Sequence, residues 1–202
     1  MKMIRFMCVL LPLFALSCAE SGGPILVDAQ WNLTCPSGGA GCGSLAPETC
    51  LGVAGQRAIV GERGQPACNG DPILAVCEAV QRADGTRNVK LEAEVGGGFA
   101  FLLSGATIDA GEGIVEQTAC NVTIIEDGLP YDYGASGAFN CGTEAPSMEQ
   151  PCQLSNVSVE GTDVVFDVQC DSLLSSTTGG AFNVAAVGGG PATIRFANCV
   201  GF

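Results

Sequence analysis

From residue 72 onward, apolar and polar side chains alternate in short bursts. That period of two sets one face of a β-strand against a core. Val89, Leu91, Ala93 and Val95 alternate with Lys90, Glu92 and Glu94. With Ile73 to Ala83 this run flanks Asp84-Gly85, a dipeptide favoured in tight hairpins. The first arm also fits a helix capped at Asp71-Pro72 and ended at Gly85, but the clean alternation of Arg87 to Val95 favours the hairpin. Phe99 to Ile108 reads as a buried strand, and Ala119 to Glu126 alternates with Cys120, Val122 and Ile124 on one face. Gln153 to Val159 and Asp163 to Cys170 form a second hairpin across Glu160-Gly161-Thr162, with Val164, Phe166, Val168 and Cys170 on one face. Ala181 to Val187 and Thr193 to Val200 read as two last strands, separated by Gly188-Gly189-Gly190-Pro191.

Upstream, Ile25 to Thr34 predicts a first strand, with Trp31 as its core or edge anchor. Residues 35–70 scatter Cys35, Cys42, Cys50 and Cys68 among Gly, Ser, Pro and Ala, and predict a cysteine-rich loop segment pinned by two local bridges. About nine short strands with turn residues between them predict an all-β fold, an antiparallel β-sandwich, with jelly-roll connectivity as one variant. Residues 25–202 are expected to form one such domain. The glycine content, 29 of 202, is about twice the ordinary ~7% and is spread through turns without a collagen period.

The first seventeen residues depart from this pattern. Lys2 and Arg5 precede an apolar run from Phe6 to Leu16, and Ser17-Cys18-Ala19 ends it with small residues. These are the three parts of a signal peptide, and the run is too short for a membrane-spanning helix, which needs about 20 apolar residues. Phe14-Ala15-Leu16-Ser17-Cys18 resembles the lipobox of bacterial lipoproteins, with Ala15 where that family prefers leucine. The resemblance implies cleavage before Cys18, diacylation of its thiol, and a place at the cell envelope as an outer-membrane lipoprotein, with 18–24 as a tether. Ordinary cleavage after Ala19 is the alternative, and it gives a secreted protein.

Apart from Cys8 and Cys18, ten cysteines remain: Cys35, Cys42, Cys50, Cys68, Cys77, Cys120, Cys141, Cys152, Cys170 and Cys199. An even number in an exported chain predicts five disulfides, with connectivity left open. Metal ligation is disfavoured, because no cysteine pair has CxxC spacing and the chain contains no histidine. The missing histidine also removes Ser-His-Asp and Cys-His catalysis, so a non-enzymatic role is expected.

The net charge of −13 becomes −15 once Lys2 and Arg5 leave with the signal peptide. So acidic a protein repels phosphate, which excludes nucleic acid as a partner. A membrane partner is expected only through the lipid anchor, and a protein or glycan partner is left open. The most suggestive stretch is Glu126-Asp127-Gly128-Leu129-Pro130-Tyr131-Asp132-Tyr133. Glu126, Asp127 and Asp132 offer oxygen ligands for calcium, and Tyr131 and Tyr133 offer faces for a sugar ring, although EF-hand spacing is absent. This loop defines the alternative function, a calcium- or carbohydrate-binding domain. Asp109-Ala110-Gly111-Glu112-Gly113 reads as an acidic turn with calcium as a weaker use. Asn32, Asn121 and Asn156 open sequons that matter only in a eukaryotic secretory pathway.

Overall fold

The structure is a computed structural model that describes residues 22–36, 42, 45, 51–109, 113–114, 119–133 and 139–202. Residues 1–17, where the signal peptide is expected, and Cys18 and Cys50 lie outside these residues. Those described form thirteen strands, no helix, and so no helix long and apolar enough to cross a membrane. They build two sheets packed face to face, so the fold is the expected all-β sandwich.

The larger sheet holds the first and the last of these strands. Its strands are β1 (Leu26–Thr34), β2 (Gln56–Glu62), β9 (Cys141–Gly142), β10 (Cys152–Glu160), β11 (Asp163–Leu174), β12 (Ala181–Ala185) and β13 (Ala192–Ala197). The smaller sheet is β3 (Ile73–Gln81), β4 (Arg87–Val95), β5 (Phe99–Asp109), β7 (Asn121–Glu126) and β8 (Leu129–Tyr131) in sequence order, with β6 (Gly113–Ile114) beside β5. Consecutive strands of the smaller sheet are spatial neighbours, an up-and-down meander. Jelly-roll connectivity, which interleaves two Greek keys, is therefore not what this chain adopts.

The alternation read from the sequence sets which faces are buried. Val89, Leu91, Ala93 and Val95 face inward, as do Val164, Phe166, Val168 and Cys170, and the two sets join one core. Trp31 is fully buried, edge-on to Phe99 with ring centroids 6.1 Å apart, and serves as the expected core anchor. Contacts along the larger sheet's central strands show how the sheets cross. Phe182 meets Tyr131 of β8, Phe166 meets Phe101 of β5, and Cys199 meets Cys77 of β3. A path from β12 to the C-terminus thus traverses the smaller sheet from one edge to the other, as in a sandwich of crossed sheets.

The hairpin from β3 to β4 is present, and Asp71-Pro72 starts no helix. Its loop is longer than a two-residue Asp-Gly turn. Arg82 N donates to Thr86 O at 2.8 Å, and Gly85 takes φ 91°, so a turn followed by a left-handed glycine closes the strands. Asp84 accepts from both the backbone N and the Oγ1 of Thr86.

One expectation needs correction. Residues 35–70 are not loop throughout, because β2 lies within them and pairs with β1 along its whole length. Its inward positions are Arg57 and Ile59, and the arginine at a core position conceals the period of two.

Disulfides join Cys35 to Cys42, Cys77 to Cys199, Cys120 to Cys141 and Cys152 to Cys170, and Cys68 is disulfide-bonded as well. Cys77–Cys199 and Cys120–Cys141 each connect one sheet to the other, while Cys152–Cys170 bridges directly opposed residues of β10 and β11. The six cysteines of these three bridges are all buried.

Candidate functional site

The Glu126–Tyr133 stretch folds into a hairpin. Glu126 pairs with Leu129 across a two-residue turn in which Asp127 and Gly128 have φ of 50° and 74°. Two successive positive φ angles define the turn that matches strand twist, and Asp-Gly suits it. The acidic and glycine residues here are thus explained by turn chemistry. Glu126 itself points into the core. Its carboxylate accepts from Arg57 Nε at 2.8 Å and also from Arg57 Nη2, and both side chains are buried. Arg57 Nη1 donates to the Gln56 carbonyl at 2.7 Å. The pair links β2 of the larger sheet to β7 of the smaller, beside the aromatic cluster of Trp31 and Phe99.

The two tyrosines part company. Tyr131 is buried against Phe182 with ring centroids 4.5 Å apart, whereas Tyr133 is partly exposed and pairs through its backbone with Leu174. The Asp132 carbonyl accepts from Asn140 Nδ2 at 2.7 Å. Glu126, Asp127 and Asp132 therefore do not converge, and the described residues contain no cluster of three acidic or thiol groups able to hold a metal. Asp109 ends β5 opposite Gly113, and residues 110–112 of that acidic turn lie outside the described residues.

A different feature stands out on the outer face of the larger sheet. β12 and β13 occupy a single slot between β1 and β11. The C-terminal half of β1 (Asn32 to Thr34) pairs with β12, and its N-terminal half (Leu26 to Ala29) pairs with β13. On the other side, Val164 to Val168 of β11 pair with β13, and Cys170 to Leu174 with β12. Across both neighbours the register jumps by six, so 186–191 form an excursion from one otherwise continuous central strand. Ala186 N donates to Gly190 O at 2.9 Å, and Gly189 N to Ala186 O at 3.1 Å, which closes the excursion at its base. Gly188, Gly189 and Gly190 all have positive φ, a path that only glycine follows without strain.

The excursion walls a groove of about 420 Å³ whose floor is Asp28, Gln30, Val165, Thr193 and Arg195. Val187 and Pro191 form the wall, and Val187 is 60% exposed. A second hollow of about 260 Å³ shares Asp28 and Arg195 and runs on past Leu26 and Val60. Asp28, Arg195 and Val165 are cross-strand partners and so form one row of the floor. Arg195 Nη2 donates to Asp163 Oδ2 at 2.7 Å. That hydrogen bond raises the Arg195 pKa above its ordinary value, with the charges of Asp163, Asp28 and Glu160 adding to it. Thr193 Oγ1 donates to Asp167 Oδ1 at 2.6 Å, and Gln30 Nε2 donates to Asp28 Oδ1 at 3.0 Å. Apart from Val165, the floor residues are the polar half of the strand alternation, which the sequence marks only as solvent-facing. The triple glycine reads as a strand break, and only the register shows that one strand resumes beyond it.

The fold and groove define the class: a disulfide-stapled β-sandwich with an open, polar-floored groove on one outer face. No protein-family model matches the chain, and no curated protein or solved structure is similar to it.

Proposed function

We propose that the protein is an exported β-sandwich anchored through a lipid on Cys18 at the bacterial outer membrane, where it binds or supports a partner without catalysis. The observation carrying the exported part is the set of buried disulfides that staple one sheet to the other, which suits folding in an oxidising compartment. The leader from Lys2 to Cys18 supports the anchor. A chain without histidine supports a role outside acid–base and nucleophilic catalysis.

Attachment at Cys18 has a geometric consequence. The chain enters the sandwich at Pro24, whose carbonyl accepts from Asn198 Nδ2 at 2.9 Å. Six residues extend about 20 Å at most, so the anchor would hold this end of the larger sheet close to the bilayer. One acyl chain binds a membrane only marginally, so more than one is required for stable attachment. The test is an intact-mass measurement on protein recovered from membranes. The expected mass is that of the chain from Cys18 plus acyl groups, and Cys18→Ser should release unlipidated protein into the soluble fraction. A mass without acyl groups would refute the anchor.

A further inference from the structure

The geometry points to the groove beneath the 186–191 excursion as a docking site for an extended basic segment of a partner protein, lysine or arginine alternating with aliphatic residues. This deepens the binding role proposed above and rests on it. Three features of the groove select that occupant. The first is spacing. Floor side chains stand about 4.8 Å apart across strands and about 6.8 Å apart along them, and alternate side chains of an extended peptide repeat at the second interval. A peptide lying along β1 and β13 therefore meets Asp28 and Gln30, or Thr193 and Arg195, at each second residue.

The second feature is charge. Asp28 is the cross-strand partner of Arg195, Asp163 Oδ2 accepts from Arg195 Nη2 at 2.7 Å and Asp167 Oδ1 accepts from Thr193 Oγ1 at 2.6 Å, so three carboxylates on the floor and its rim stand around one guanidinium. A cationic side chain completes that balance, and an acidic or phosphorylated one is repelled. The third is the apolar fraction. Val165, Val187 and Pro191, with Leu26 and Val60 in the adjoining hollow, give aliphatic surface to the intervening residues. No aromatic ring lines either hollow among the described residues, which leaves out the stacking platform that a sugar ring uses.

Calorimetric titration of the full mature protein in detergent tests the site. The probe is a blocked hexapeptide alternating Lys and Val, compared with its Glu-Val counterpart and with a neutral hexasaccharide. The Lys-Val peptide should bind, and raising salt to about 0.15 M should weaken it. Asp28→Asn should weaken it about fivefold, the scale of one exposed ion pair. Val187→Ser, a change at an exposed tip that leaves the core intact, should weaken it as well. Glu78→Gln makes the same charge change on the outer face of the smaller sheet and should have no effect. Binding unchanged by Asp28→Asn, or weakened equally by Glu78→Gln, would overturn the site, since attraction would then follow net charge alone. Preference for the Glu-Val peptide or the hexasaccharide would overturn the occupant. Acyl mass at Cys18 is measured separately, so failure here leaves the anchor reading intact and identifies which claim fell.

Discussion

At the scale of single residues, the buried Arg57–Glu126 pair is an ion pair that joins one sheet to the other. Each side chain is removed from water, and each is satisfied mainly by the other. Trp31, the register partner of Arg57, keeps a buried Nε1 with no hydrogen-bond partner, so the core already carries one uncompensated polar atom here. Removing one member of a buried pair leaves the other charge stranded, at a cost of about 3–5 kcal/mol. Arg57→Met and Glu126→Leu should each lower the urea midpoint accordingly. The double variant Arg57→Met with Glu126→Leu should recover much of the loss, because no charge then remains buried. A strictly additive double variant would show that the pair is not coupled. The sequence could not disclose this contact, since the partners are 69 residues apart and Glu126 sits beside an Asp-Gly turn that draws attention to solvent.

At the scale of elements, legibility followed the period of two. Strands whose inward positions are all apolar, such as β4 and β11, were readable to within a few residues. β2 was not, because Arg57 occupies a core position, and β8 and β9 are too short to show any period. The sequence shows β12 and β13 as two separate strands, because nothing local records that Ala185 and Ala192 belong to one slot. Its geometry makes a sharp prediction. The excursion is six residues long, an even number, so excising 186–191 keeps Val184, Ala192, Ile194 and Phe196 on the inward face. It also brings the pairing with β1 into a single register, and that with β11 into one register from Val164 to Cys170, beyond which the bulge before Leu173 stays as it is. The shortened protein should fold with a melting temperature at or above that of the parent, while the groove loses its wall. A large loss of stability would show that the excursion supports the sheet.

At the scale of the whole molecule, stability depends on how the two sheets are tied together. The even count of ten cysteines pointed to disulfides, but pairing depends on crossed sheets that sequence spacing does not reveal. Cys77–Cys199 closes a separation of 122 residues and joins β3 to the segment beyond β13. Around it Ala79 N donates to Val200 O at 2.8 Å and Val200 N to Cys77 O at 3.0 Å, so the C-terminal residues cover the edge of β3. Arg87 then lies 5.7 Å from the Phe202 ring centroid, where its charge faces the ring. Cys152–Cys170 closes only 18 residues within one hairpin already paired strand to strand. Loop-closure entropy assigns about 5 kcal/mol to the longer bridge and about 3 kcal/mol to the shorter. Replacing Cys77 and Cys199 together by serine should therefore cost more than replacing Cys152 and Cys170, and it should also free the β3 edge. Denaturant unfolding of the two double variants orders the costs, and light scattering during refolding reports the exposed edge. If the Cys152–Cys170 variant proves the less stable, the sandwich is held by its hairpins, and the inter-sheet staple is secondary.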